Sequence, residues 1–295
     1  MARSAAIARD PRSELSGRRA AGLGLVCAFL LGGLTFSGAE SALGQKADIE
    51  WRGEPVQGAL MIGQSDELAQ VWHNGEPLPI TDGGEFVVGI AKDASEPIEV
   101  VAAWSDGRRT RTTLQPRARQ FKTQRIDGLD QNMVSPPAET LERIRNEAAL
   151  ARQTRQIISE HGGFAESFVW PVDGPITGVY GSQRILNGEP RAPHWGIDIA
   201  APTGTPVLAP ASGRVVLAHD DMYFSGGTLF LDHGHGVMSA FLHLDAIGVS
   251  RGDFVDQGTQ LGTVGASGRA TGAHLDWRVS WREVRVDAGL LVPKR

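Results

Sequence analysis

From Phe168 onward, glycine and proline punctuate the chain every few residues, and the apolar stretches between them are short. Pro206–Ala209, Gly213–Ala218, Thr228–Asp232, Gly236–Leu244, Thr259–Val264 and His274–Trp281 each read as a strand bounded by turns. No helical periodicity interrupts them, so this part of the chain can only build an antiparallel β domain. The 37 glycines and 2 tyrosines in 295 residues suit the same turn-rich architecture.

Upstream, a second set of strands precedes a helical segment. Asn74-Gly75 between Ala69–Trp72 and Leu78–Ile80 predicts a hairpin. Glu85–Ile90, Ile98–Trp104 and an edge strand Thr110–Leu114 complete a small β-sandwich-like module. His73 beside the hairpin turn is expected to be solvated. Ser135-Pro136 offers a helix start, and Glu139–Glu160 lacks glycine and proline while placing Leu141, Ile144, Ala148 and Ala151 at helical spacing. The fold class expected is mainly β, with residues 40–130 as the module, 131–163 as a helical linker and 164–295 as the antiparallel domain.

Residues 1–39 read as an export signal. Arg9, Arg12, Arg18 and Arg19 precede the apolar run Ala20–Phe36, and Ser37-Gly38-Ala39 supplies small residues for cleavage. The alternative is an uncleaved anchor, for which a run of about 17 residues is marginal. Cys27, the only cysteine, lies in this run, so the mature chain would have no disulfide and no thiolate ligand. The mature protein is expected in the periplasm without a stable membrane span. A net charge of −5 argues against nucleic acid as a partner.

Any metal must therefore bind through histidine and carboxylate. Six of the eight histidines lie after Phe164. His194 and Asp198, four residues apart around Gly196, can meet on one ion if the chain bends at the glycine. His243 stands at the end of an alternating strand. In Ala273–Val279, alternation sends Leu275, Trp277 and Val279 to one face and His274, Asp276 and Arg278 to the other. His235, within His233-Gly234-His235-Gly236, reads as a turn residue.

The stretch Trp170–Leu291 resembles the lysostaphin and LytM-type zinc endopeptidases, a cell-wall hydrolase family. Gly178–Gly181, His194–Asp198, Ala201–Val207, Gly213–Val215, Asp232–Gly234, His243-Leu244, Gly252-Asp253 and Gly268–Gly272 carry the likeness in order. The resemblance implies a LytM-like domain in which His194 and Asp198 bind Zn2+ while His243 and His274 assist catalysis. The family's third ligand is normally a histidine, and here that position is Asp276. A His-Asp-Asp set would leave the zinc centre neutral and weaken its Lewis acidity. The implied activity is hydrolysis of peptidoglycan peptides by metal-activated water. The alternative is an inactive relative that binds the wall or activates a partner hydrolase. Cell-wall or divisome proteins are the partners to expect.

Overall fold

The computed structural model describes residues 49–295 apart from 67 and 130. The expected signal sequence lies outside the described residues. No helix among those described is long and apolar enough to cross a membrane.

The first eight strands are β1 (Glu50–Arg52), β2 (Leu60–Gln64), β3 (Leu68–His73), β4 (Glu76–Leu78), β5 (Glu85–Gly89), β6 (Ile98–Trp104), β7 (Arg109–Leu114) and β8 (Thr123–Ile126). The order β1-β2-β5 forms one sheet and β4-β3-β6-β7 a second, which is the sandwich-like pairing expected, with β7 at an edge. Asn74 (φ 49°) and Gly75 (φ 86°) both take left-handed backbone in the hairpin joining β3 to β4. Along β6, Ile98, Val100, Ala102 and Trp104 are buried and the residues between them less so. His73 is half-buried rather than fully solvated as expected. Its ring meets Trp281 edge-on at 5.3 Å, and burial, then Arg282, lowers its pKa.

Two helices follow, α1 (Gln131–Val134) and α2 (Leu141–Arg155). The helix is shorter than the expected Glu139–Glu160, and Ser135 does not cap it. The Ser135 amide instead closes α1 on Gln131, and Thr140 precedes α2 with no side-chain cap bond. Past Arg155 the chain is captured by the β domain. The Ser159 carbonyl accepts from the His235 amide (2.8 Å), and its hydroxyl donates to Asp232 (2.6 Å). Helical continuation would forfeit both bonds.

The remaining strands are β9 (Ile176–Gly178), β10 (Gln183–Leu186), β11 (Glu189–Arg191), β12 (Ile197–Ala200), β13 (Pro206–Leu208), β14 (Gly213–Met222), β15 (Gly226–Asp232), β16 (Val237–Ile247), β17 (Phe254–Val255), β18 (Gln260–Val264), β19 (His274–Trp281) and β20 (Val284–Val286). Ten of them form one antiparallel sheet whose main path is β17-β14-β15-β16-β19-β12-β9. Leu275, Trp277 and Val279 on β19 are fully buried with Phe241, Leu229 and Ile199 from neighbouring strands. That apolar face leaves the opposite face of β12 and β19 to polar residues, as the alternation predicted. The N-terminal strands share this core. Gly89 of β5 is so close to Trp281 that a Cβ there would sit 2.9 Å from the indole. β8 pairs in parallel with β10, and β10 with β11.

Candidate metal centre

His194 enters β12 through a backbone clamp. Its amide donates to Ser182 O (2.8 Å), and its carbonyl accepts from the Gly181 amide (2.7 Å). The antiparallel register then places Asp198 directly opposite Asp276 on β19. Like charges facing one another across strands destabilise a sheet unless something of opposite sign lies between them. Here the imidazole does: His194 Nε2 is 3.0 Å from Asp198 Oδ1 and 3.4 Å from Asp276 Oδ1.

All three residues are buried, and one ligand atom from each lies within 4.8 Å of the others. His194 Nε2 and Asp198 Oδ1 nevertheless lack a hydrogen-bond partner of proper geometry. Orphaned buried polar atoms of this kind cost about 1–3 kcal/mol each. A tetrahedral ion with bonds of about 2.0–2.1 Å would hold its ligand atoms about 3.3 Å apart. The spacing and the missing partners both fit a bound divalent cation.

Two glycines make room for the carboxylates. A Cβ on Gly178 would lie 2.1 Å from Asp198 Oδ2, and one on Gly196 would lie 2.3 Å from Asp276 Oδ1. The chain bends at Gly196, as expected, although the backbone there is not left-handed. What the site needs there is the absence of a side chain.

Arginines complete the charge balance. Arg278 Nε donates to Asp276 Oδ1 (3.0 Å) and Oδ2 (3.1 Å), and Nη2 donates to Oδ2 (2.5 Å). Arg184 Nη2 donates to Asp198 Oδ2 at 3.1 Å. Asp198 thus turns one oxygen toward His194 and the other toward a guanidinium, whereas Asp276 Oδ1 faces both His194 and Arg278. The His-Asp-Asp set expected from the sequence is therefore surrounded by two positive charges, one beside each carboxylate. Burial disfavours the Asp276 carboxylate, but Arg278 and His194 outweigh it and hold the group well below the usual range. Burial likewise opposes a charge on His194, and its two carboxylate neighbours override that and raise it.

His243 and His274 stand beside this group. Their ring centroids are 4.8 Å apart, and His274 Nε2 is 3.9 Å from Asp198 Oδ1. His243 Nδ1 contacts Ser267 O and His274 Nδ1 contacts Gly272 O, each at 2.8 Å. A carbonyl can only accept, so both rings carry a proton on Nδ1, and in a neutral ring Nε2 is then a lone pair. Burial pushes His243 down to about 4, which keeps it neutral near pH 7. His243 is not at a strand end, as expected, but inside β16 at a left-handed kink (φ 64°). Such a conformation costs a non-glycine residue about 1–3 kcal/mol and concentrates at functional sites.

Two other histidines stay apart from the centre. His233 is locked between Ser212 O and Ser239 Oγ, both at 2.8 Å. His235 is a turn residue, as expected, stacked on Phe164. The residue that sequence reasoning missed outright is Arg184. Arg278 was visible, two positions beyond Asp276 on the same face.

Residues 192–288 match the description "Peptidase family M23". A crystal structure of an M23 peptidase-family protein from Pseudomonas aeruginosa is 31% identical, covering 81% of this chain and 95% of that one with a TM-score of 0.61. The chain belongs to peptidase family M23. Peptidoglycan DD-endopeptidase ShyB of Vibrio cholerae is 34% identical over 149 residues, which is 50% of this chain and 30% of that protein. Peptidoglycan DD-endopeptidase ShyA of the same organism is 39% identical over 122 residues, 40% of this chain and 28% of that protein. The cell division protein DipM of Caulobacter vibrioides is 30% identical over 167 residues, 55% and 26% of the two chains. The matched region spans less than a third of each of these three relatives.

Proposed function

We propose that this chain is an exported zinc-dependent endopeptidase that hydrolyses peptide bonds in bacterial peptidoglycan. His194, Asp198 and Asp276 would hold the metal, and His243 and His274 would serve the reaction. The observation that carries this reading is the pair of facing carboxylates 3.0 and 3.4 Å from an imidazole nitrogen that has no hydrogen-bond partner. Zinc held there supplies Lewis-acid polarisation of a peptide carbonyl and lowers the pKa of water.

The protein's own groups then handle protons and charge. His243 and His274 both place a proton on Nδ1, and His243, which burial keeps neutral, offers Nε2 as a proton acceptor. Once protonated, either ring can donate to the tetrahedral oxyanion or to the leaving amine. Arg278 and Arg184 fix the carboxylates in orientation, a supporting role in which a lost contact typically costs 10–100-fold in metal affinity, as an order of magnitude. The likeness to wall endopeptidases and the leader-like residues 1–39 support action on the wall in the periplasm, with cell-wall or divisome proteins as partners.

The test is to incubate zinc-loaded protein with purified peptidoglycan, analyse fragments by mass spectrometry and measure bound zinc. We expect about one zinc per chain, cleaved peptides, and loss of both in Asp276→Ala. His243→Ala and His274→Ala should keep zinc and lose cleavage by about 10²–10⁴-fold. Full zinc in Asp276→Ala would remove it from the ligand set. An intact wall with full zinc would instead favour the inactive wall-binding relative.

A further inference from the structure

A cavity of about 360 Å³ is lined by residues of α2 and of the sheet, His243 among them. Its floor is apolar, built from Met222, Phe230 and Leu242, and Ala148 and Ala151 of α2 form its roof. Five arginines also line it: Arg155, Arg184, Arg269, Arg278 and Arg285. The one acidic residue lining it is Glu147, whose oxygens already accept from Arg143 and from the Tyr223 amide.

This crowding is costly. Arg184 and Arg278 are balanced by Asp198 and Asp276, and Arg269 lies over the Phe224 ring at 4.4 Å. Arg155 and Arg285 make no ion pair with a described residue, and Arg155 Nε is buried without a partner. Burial works first against the Arg285 charge, repulsion from Arg155 and Arg278 adds to it, and attraction from Glu283 offsets only part of this. A guanidinium does not shed its proton in a protein. Glu283 attracts both groups without forming an ion pair with either, which leaves their donors open to an anion, and the planar donor fork of arginine fits a carboxylate bidentately.

We infer that Arg155 and Arg285 form a specificity subsite for a carboxylate carried by the peptide substrate. The apolar floor takes the aliphatic part of the acid-bearing residue, and His243, which lines the same cavity, joins it to the reacting bond. The inference rests on the endopeptidase reading for its substrate, but binding can be measured without catalysis.

The test uses one cross-linked stem peptide with free carboxyl groups and the same peptide with those groups capped as carboxamides. Isothermal titration of metal-free protein should give binding of the free acid about 10–100-fold tighter, the range of charge-assisted hydrogen bonds to one carboxylate. In zinc-loaded protein the preference should appear in kcat/KM, and Arg155→Gln/Arg285→Gln should reduce the ratio toward one. Equal affinity for the two peptides in metal-free wild type overturns the subsite whether or not the variant folds. So does an unchanged ratio in a folded double variant. A preserved binding preference with neither peptide cleaved keeps the subsite and removes the peptidase reading. Equal cleavage of both does the reverse.

Discussion

The contact between Asp276 and Arg278 can be measured by a double-mutant cycle in metal-free protein. Asp276 is 1% exposed, and its carboxylate accepts three guanidinium contacts of 2.5–3.1 Å. Two unit charges about 4 Å apart at an effective dielectric of about 20 attract by about 4 kcal/mol. Removing one member of a buried pair costs about 3–5 kcal/mol, because the other charge is left stranded. Asp276→Asn strands Arg278, and Arg278→Gln strands a carboxylate that already faces Asp198. Each single change should therefore lower stability by about 3–5 kcal/mol. The double variant strands neither, so it should fall short of the sum by about 2–3 kcal/mol. Guanidinium unfolding followed by circular dichroism in the presence of a chelator measures all four proteins, with a common slope licensing the comparison. Additivity within about 0.5 kcal/mol would refute the pairing as the reason an aspartate can occupy this position.

Gly196→Ala drives a Cβ to 2.3 Å from Asp276 Oδ1 and 2.7 Å from the Trp277 carbonyl. Zinc affinity, titrated against a chromophoric chelator, should fall by about 10–100-fold, and wild-type affinity would mean that Asp276 need not sit where it does. Stability should also depend on pH through His233, which burial holds down to about 4 from an ordinary 6.5. Between those values the unfolded chain takes up a proton that the folded chain refuses. Stability present above about pH 6.5 is thus lost as pH falls through about 4, by up to about 3 kcal/mol. His233→Gln should flatten that slope in unfolding series run at several pH values, and equal slopes in the two proteins would contradict it.

Much of the site could be read from the sequence because local spacing encodes it. Alternation in His274–Trp281 reports both the bounds of β19 and the face its polar residues share. What could not be read depends on contacts distant along the chain. Arg184 is one of 29 basic residues and sits in the unremarkable run Gln183–Leu186, so only the placement of β10 beside β8 and near Asp198 gives it a partner. The helix was read too long because nothing in residues 156–160 forbids a helix; the turn between β15 and β16 captures Ser159 from outside. His243 misled for a similar reason. Its polarity looks like a strand ending, whereas β16 passes through a kink tied to Ser225 and continues to Ile247.

The register between β12 and β19 also decides which genetic changes this chain can survive. One residue inserted or deleted within His274–Trp281 would turn Asp276 and His274 away from Asp198 and send Leu275 and Trp277 out of the core together. Loss of chemistry and loss of folding would arrive in the same event, so length is fixed in this strand by selection on either. The turn before it lies outside that register, but Ser267 O and Gly272 O hold His243 and His274 there, so a change of length in the turn would cost the chemistry while sparing the core.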